Sequence, residues 1–111
     1  MTTNACLITL GGPNWATGFS TTATDDTYTE STDNVSSLSL YKVAKGKQIS
    51  WFIGSYTAGS GLIRVRNTQT NQVRMLEALT MPKGMKVTYL EKPFVVQEND
   101  ILEIYTTAAG T

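Results

Sequence analysis

One stretch, residues 45–66, constrains the fold of this chain more than any other. It reads KGKQISWFIGSYTAGSGLIRVR, and in its first half the large apolar residues lie two apart, at Ile49, Trp51 and Ile53. After a glycine-rich turn, apolar and basic residues alternate as Ile63, Arg64, Val65 and Arg66. Side chains two positions apart point to the same face of a β-strand. The stretch therefore predicts two neighbouring strands that share one buried face.

The rest of the chain consists of similar short runs between turn signals, with no persuasive helix and no internal repeat. The runs outside the first stretch are 5–10, 38–43, 73–79, 85–90, 94–96 and 101–106. About eight short strands at this spacing predict an all-β fold, an antiparallel β-sandwich of jelly-roll type. A length of 111 residues fits a single domain, residues 1–111.

Two hairpins are predicted in the second half of the chain. A loop at 68–72 places Val65 opposite Met75 and Arg66 opposite Arg74, with apolar side chains on one face and basic ones on the other. The runs FVVQ and ILEIYT, joined by a short polar turn, predict a second hairpin over 94–106.

The basic face of the first hairpin is a candidate protein interface. Its residues are Arg64, Arg66 and Arg74. Like charges that face each other across a ladder are unfavourable without an acidic partner. Glu77 or Glu91 would supply that partner within the fold, and an acidic groove on another protein is the alternative.

A polar stretch, residues 20–37, reads STTATDDTYTESTDNVSS, and its large apolar side chains are Tyr28 and Val35. So few apolar groups cannot hold the stretch in place by burial. It is therefore expected either as a long surface loop or as an arm or edge strand that reaches onto a partner. Its candidate interface residues are Asp25, Asp26, Tyr28, Glu30 and Asp33.

The composition argues against an enzyme. Histidine is absent, which removes the usual general base and zinc ligand. The acidic cluster of the polar stretch has no apolar neighbours to raise a pKa and lacks the spacing of a calcium loop, although a structural calcium site remains an alternative. The glycines at 54–61 do not form a phosphate-binding loop. No cofactor or metal is therefore expected.

Charge and hydropathy exclude two further partners. Nine basic residues balance nine acidic ones, so the whole molecule has no electrostatic reason to bind nucleic acid or an anionic membrane. The apolar runs are too short to span a bilayer, and no signal peptide is expected. Cys6, the single cysteine, lies in an apolar run and is expected to be buried, which suits a reducing cytoplasm.

Two segments resemble the strand pairs of jelly-roll carbohydrate-binding modules. They are LYKVAKGKQISWFIG and FVVQENDILEIYT, in which a Gly-Lys turn precedes a core strand and a hydrophobic hairpin closes the fold. Flat Trp and Tyr rings on a sandwich face would serve as a platform for sugar rings. Trp15 is either such an exposed platform or a plug for one end of the core.

Taken whole, the length, the Thr-rich and cysteine-poor composition and the strand order resemble the small capsid decoration proteins, or staple proteins, of epsilon15-like tailed phages. The resemblance implies a non-enzymatic jelly-roll subunit that pairs as a homodimer at icosahedral two-fold positions and clamps the major capsid protein. It also implies a location on the outer surface of the virion after synthesis in the host cytoplasm. No motif carries a functional residue across.

Overall fold

The computed structural model describes residues 3–24, 26–56, 60–80 and 87–106. In chain order the elements are β1 (Thr3–Gly12), β2 (Trp15–Thr24), β3 (Thr29–Asp33), α1 (Leu40–Ala44), β4 (Gln48–Tyr56), β5 (Ser60–Asn67), β6 (Val73–Thr80), β7 (Thr88–Val95) and β8 (Asp100–Thr106). Candidate residue Asp25 lies outside the described residues, as do Met85 and Lys86 at the start of the run predicted at 85–90. No helix in the described part of the chain is long and apolar enough to span a membrane.

The strands are hydrogen-bonded in the order β6-β5-β8-β3-β2-β1-β4-β7, and every neighbouring pair is antiparallel. The first four strands lie as β4-β1-β2-β3, which is a Greek key. Of the second four strands, β8, β5 and β6 pair in that order, whereas β7 pairs with β4 and meets β6 through the hydrogen bond from Arg74 to Val95. The predicted all-β, antiparallel fold of about eight strands is confirmed.

One hydrophobic core is shared by both halves of the sheet, as a β-sandwich requires. Its fully buried members include Ile8, Leu10, Phe19 and Ile49 from β1, β2 and β4, together with Ile63, Val65, Leu102 and Ile104 from β5 and β8. Cys6 is buried as predicted, and burial raises the pKa of its thiol. Trp15 packs against the core as a plug.

The predicted pairing within residues 45–66 is wrong. β4 pairs with β1 and β7, whereas β5 pairs with β6 and β8, so the two strands lie in different halves of the sandwich. The predicted C-terminal hairpin is wrong for the same reason, because β7 pairs with β4 and β8 pairs with β5 and β3. A Greek key joins some of its strands by long connections, so strands that are consecutive in sequence need not pair with each other.

Two register shifts change the side-chain orientations that were predicted from sequence alternation. In β4 a shift between Ile49 and Trp51 buries Ile49 and Phe52 and turns Trp51 towards solvent. In the β5–β6 hairpin, Val65 pairs with Met75 as predicted, but a shift then places Arg66 opposite Val73 instead of opposite Arg74. A bulge changes which face every later side chain occupies.

The polar stretch 20–37 is neither a long loop nor an arm, since Ser20–Thr24 belongs to β2 and Thr29–Asp33 forms β3 in the middle of the sheet. Its inward positions carry small side chains, Ala23 and Ser31, which fit the interior without large apolar groups. It is therefore not an edge strand either. The two edge strands of the sheet are β6 and β7, and β7 contains Pro93.

The run 38–43 is not a strand, because residues 40–44 form α1. This short helix crosses from β3 to β4. Leu40 and Ala44, four residues apart on one helical face, are both buried against the core.

Candidate protein interface

Most of the predicted interface residues meet on one outer face of the sandwich, formed by β3, β8, β5 and β6. We call the cluster of Tyr28, Arg64, Arg66, Glu103 and Tyr105 the arginine–tyrosine face. The strand register brings the residues of this face together, because Glu103 of β8 lies between Glu30 of β3 and Arg64 of β5. Their neighbours on the inner side of these strands, such as Leu102 and Ile104, are fully buried.

The centre of this face is an ion-pair cluster. Arg64 Nε donates to Glu103 Oε1 at 2.8 Å, and Arg66 Nε donates to the same oxygen at 2.9 Å. Arg66 Nη2 reaches Glu103 Oε2 at 3.2 Å. The Glu103 side chain is only 7% exposed. Both guanidiniums are therefore fixed by one buried carboxylate, and the basic face predicted to be open to a partner is neutralised within the fold.

The acidic partner of the arginines is thus Glu103, and neither Glu77 nor Glu91 fills that role. Burial by itself would raise the pKa of Glu103, but the hydrogen bonds and charges of Arg66 and Arg64 outweigh it and lower that pKa below its ordinary value. The hydrogen bond to Glu103 raises the pKa of Arg66. The cluster therefore stays ionised at neutral pH.

Aromatic rings flank the ion pairs. The Arg64 guanidinium carbon lies 3.4 Å from the ring centroid of Tyr28, and the Tyr28 and Tyr105 rings lie 5.1 Å apart at 46°. The Tyr105 hydroxyl lies 3.3 Å from Asp26 Oδ1 as a hydrogen-bond donor. Burial, followed by the negative charge of Asp26, raises the pKa of Tyr105. Asp26 and Tyr28, separated from Arg64 by more than thirty positions in the sequence, are therefore joined to it in space.

Arg74 lies apart from this face. Its Nη2 donates to the main-chain oxygen of Val95 at 2.9 Å, and its Nε lies 3.3 Å from Asp100 Oδ2. The guanidinium also lies 5.4 Å from the ring of Phe94. Arg74 thus connects β6 to β7 and β8 where the two sheet edges approach, which makes it a structural residue of the sandwich end.

The acidic residues of the polar stretch do not form a shared site. Asp26 contacts Tyr105, whereas Glu30 Oε2 accepts a hydrogen bond from the Ser39 hydroxyl at 2.6 Å. Asp33 accepts hydrogen bonds from the Thr17 hydroxyl and from the main chain and hydroxyl of Ser36. Within the described ranges, no three His, Cys, Asp or Glu residues are placed to hold a metal ion.

The hydrogen bonds to Asp33 lower its pKa to about 2, with the main-chain bond from Ser36 making the largest contribution. The carboxylate caps the turn that follows β3, in an Asx-type arrangement. Asp33 is therefore a turn-stabilising residue and lies away from the arginine–tyrosine face.

The sequence reasoning missed two apolar residues beside this face. Leu76 lies opposite Arg64 and is 54% exposed, and Val73 lies opposite Arg66 and is also exposed. The alternation of β6 contained the signal for Leu76, because a residue next to inward-facing Met75 must point outward. Exposed apolar side chains beside Tyr and Arg are typical of a protein interface.

A second surface lies on the opposite outer face, on β7, β4, β1 and β2. Trp51 pairs with Tyr89, which is 75% exposed. The Trp51 ring covers Gly11, since a Cβ added there would come within 2.8 Å of Trp51 Cζ2. Trp15 is not part of this surface, because it lies opposite Gly12 and packs against the core on the inner side. Its indole nitrogen donates to the main-chain oxygen of Gln48 at 2.7 Å.

Comparison with protein-family models, with curated proteins and with solved structures found no match to this chain.

Proposed function

We propose that this chain is a non-enzymatic capsid decoration protein that binds the major capsid protein on the outer surface of a phage shell. The resemblance to the staple proteins of epsilon15-like phages supports this function, and that family also suggests that the chain acts as a homodimer. A rigid antiparallel sandwich supports it as well, since a clamp between capsid subunits must transmit force without rearranging.

The observation that carries the proposal is the composition of the arginine–tyrosine face. Tyr28 stacks on Arg64, Tyr105 packs on Tyr28, and exposed Leu76 lies opposite Arg64. Tyr and Arg dominate the energetics of protein interfaces, and apolar side chains beside them exclude water. Because Arg64 is already fixed by Glu103, little side-chain entropy would be lost on docking.

The charges on this face change the expected chemistry of docking. Asp26, Glu30 and Glu103 add three carboxylates to the two guanidiniums of Arg64 and Arg66, so the face is not a basic patch. We therefore expect contact through aromatic and apolar surface, with polar groups setting the orientation. Many weak contacts of this kind on one symmetric shell would add up through multivalency.

A matched pair of variants tests the face. Leu76→Lys places a charge beside the arginine–tyrosine face, and Leu7→Lys places one on the opposite face, where Leu7 is 50% exposed. Co-sedimentation with stripped phage shells should show binding weakened by roughly tenfold or more for Leu76→Lys, as for a lost interface residue. Leu7→Lys should bind like the wild-type protein.

Equal loss in both variants, or loss in Leu7→Lys alone, would refute the assignment of this face. Circular dichroism and urea unfolding of each variant establish that the fold is retained. Light scattering after size exclusion tests the homodimer separately, and a monomer at all concentrations would contradict it.

One observation favours a second candidate function, carbohydrate binding. Trp51 and the exposed Tyr89 lie side by side on a face whose neighbouring outward positions include Thr9, Gly18 and Ser20. Aromatic rings with hydroxyl groups around them and no cation between them suit the apolar face of a neutral sugar.

Titration of neutral oligosaccharides tests this second candidate. Sugar binding predicts a saturable change in tryptophan fluorescence that is lost in Tyr89→Ala, a substitution at an exposed site that leaves the core intact. If neither the wild-type protein nor the variant responds to any sugar, the carbohydrate function is rejected.

A further inference from the structure

We infer that β6 is the strand through which this protein binds its capsid partner, by pairing with an extended segment of the capsid subunit that adds to the sheet edge. This inference rests on the proposed function and specifies the docking element and the chemistry of the segment that it receives. It follows from three features of the two sheet edges.

The first feature is that β6 presents an open edge beyond Arg74, the residue whose guanidinium contacts Val95 of β7. It pairs with β5 on one side, and among the described strands none pairs with its other side. An edge strand exposes a row of main-chain donors and acceptors, which can receive a strand from another chain. At eight residues, β6 is long enough to do so.

The second feature is the contrast with β7, the other edge. β7 carries Glu91, Lys92 and Pro93 in succession, all exposed. Charged residues and proline discourage strand addition. β6 contains neither proline nor lysine, and its Arg74 is turned back towards Val95 and Asp100. The edge that would resist strand addition is therefore β7.

The third feature defines the partner segment. On the outer side of β6, Leu76 and Ala78 are exposed next to the arginine–tyrosine face. On the inner side, Glu77 lies opposite Ile63, and within the described part of the chain no ion pair or side-chain hydrogen bond involves Glu77. A fitting segment has apolar residues at alternate positions on one side and a Lys or Arg on the other, where it would pair with Glu77.

Strand addition to β6 would also continue the surface already described. Leu76 lies opposite Arg64, so a segment paired with β6 would lie next to Leu76 and extend the sheet beyond the stacked Tyr28. Main-chain hydrogen bonds would supply affinity, and the alternate side chains would supply specificity.

Hydrogen exchange of the full-length protein, free and bound to stripped phage shells, tests the inference. Pairing with an added strand protects the main-chain amides on the unpaired side of β6. The amides of peptides from 73–78 should therefore exchange more slowly by roughly tenfold or more on binding. Peptides from 88–95 should exchange at the same rate in both states. Bound shells with unchanged exchange in 73–78 would overturn the inference and leave the proposed function intact, whereas absence of shell binding would reject the proposed function itself.

A matched pair of charge reversals gives a second readout. Glu77→Lys should weaken shell binding by roughly tenfold or more, because it repels the basic residue of the segment. Glu91→Lys makes the same change on the other edge and should leave binding unchanged. If Glu77→Lys binds as well as Glu91→Lys, the inferred segment chemistry is wrong. If 73–78 becomes protected with protein concentration alone, the occupant is a second copy of the chain and the inference fails.

Discussion

At the scale of single residues, Glu103 decides what the arginine–tyrosine face can do. One carboxylate accepts hydrogen bonds from both Arg64 and Arg66, so two cations that would repel each other are held together on one surface. Sequence alternation placed the arginines together on one face of their hairpin, but it could not show that β8, which carries Glu103, lies beside β5. The pairing depends on strand order, and strand order is a long-range property.

Glu103→Gln should therefore destabilise the protein. Two guanidiniums that are each about one-fifth exposed would lose their counter-charge, at a cost of about 1–3 kcal/mol in the free energy of unfolding. Urea unfolding at neutral pH measures this cost. The control is Glu98→Gln, which removes the exposed Lys45–Glu98 pair and should leave the free energy of unfolding nearly unchanged, because solvent screens that pair. Equal losses would show that the Glu103 cluster is no more important than a surface ion pair.

Asp33 should make stability depend on pH in the acid range. Its pKa is lowered from 3.8 to about 2, so the folded state favours the carboxylate. Its contribution should be complete above about pH 4 and should disappear as the pH falls through about 2, where both states bind the proton. Urea unfolding of the wild-type protein and Asp33→Asn at several pH values measures it. The difference in unfolding free energy between the wild-type protein and Asp33→Asn should become smaller as the pH falls. A difference that stays constant with pH would contradict a stabilising role for the Asp33 carboxylate.

At the scale of elements, close approaches at the β1–β2 hairpin determine where the first Greek key can pack. Gly11 lies under Trp51 and against the Trp15 main chain, and a Cβ there would come within 2.3 Å of the Trp15 carbonyl oxygen. A Cβ added at Gly18, on the neighbouring strand β2, would come no closer than 4.0 Å to the surrounding atoms. Two glycines in one hairpin therefore have different roles.

Alanine substitution separates those roles. Gly11→Ala should lower the free energy of unfolding by about 1–3 kcal/mol, because a main-chain atom cannot move away cheaply. Gly18→Ala should be neutral or slightly stabilising, by about 0.5 kcal/mol, because alanine restricts the unfolded chain. Thermal or urea unfolding of both variants measures the difference. Similar effects in the two variants would contradict the packing described for Gly11.

Elements also show where sequence reasoning succeeds and fails. Val65 opposite Met75 was predictable because a short loop and strict alternation fix a local register. The pairing of Arg66 with Val73 was not predictable, since a bulge leaves no clear signal in the alternation of apolar and polar residues. β3 was missed because small polar residues such as Ser31 fill its inward positions, where burial patterns look for large apolar ones.

At the scale of the whole molecule, the sandwich has two unlike outer faces and two unlike edges. One face carries the arginine–tyrosine cluster, and the other carries Trp51 and Tyr89. Edge strand β7 carries charged residues and a proline, whereas no described strand pairs with the second side of β6. Fold class followed from short strands and turn signals. The distribution of residues between the two outer faces could not be predicted in the same way, because β4 and β5, adjacent in sequence, lie in different halves of the sandwich.

The proposed decoration of a phage shell is tested by co-sedimentation of the wild-type protein with shells of an epsilon15-like phage stripped of accessory proteins. We expect saturable binding with a fixed number of copies per shell. Because Glu103 already pairs with the arginines, affinity should fall by less than about tenfold between about 50 mM and about 500 mM salt. Absence of saturable binding at every salt concentration would refute the proposed function.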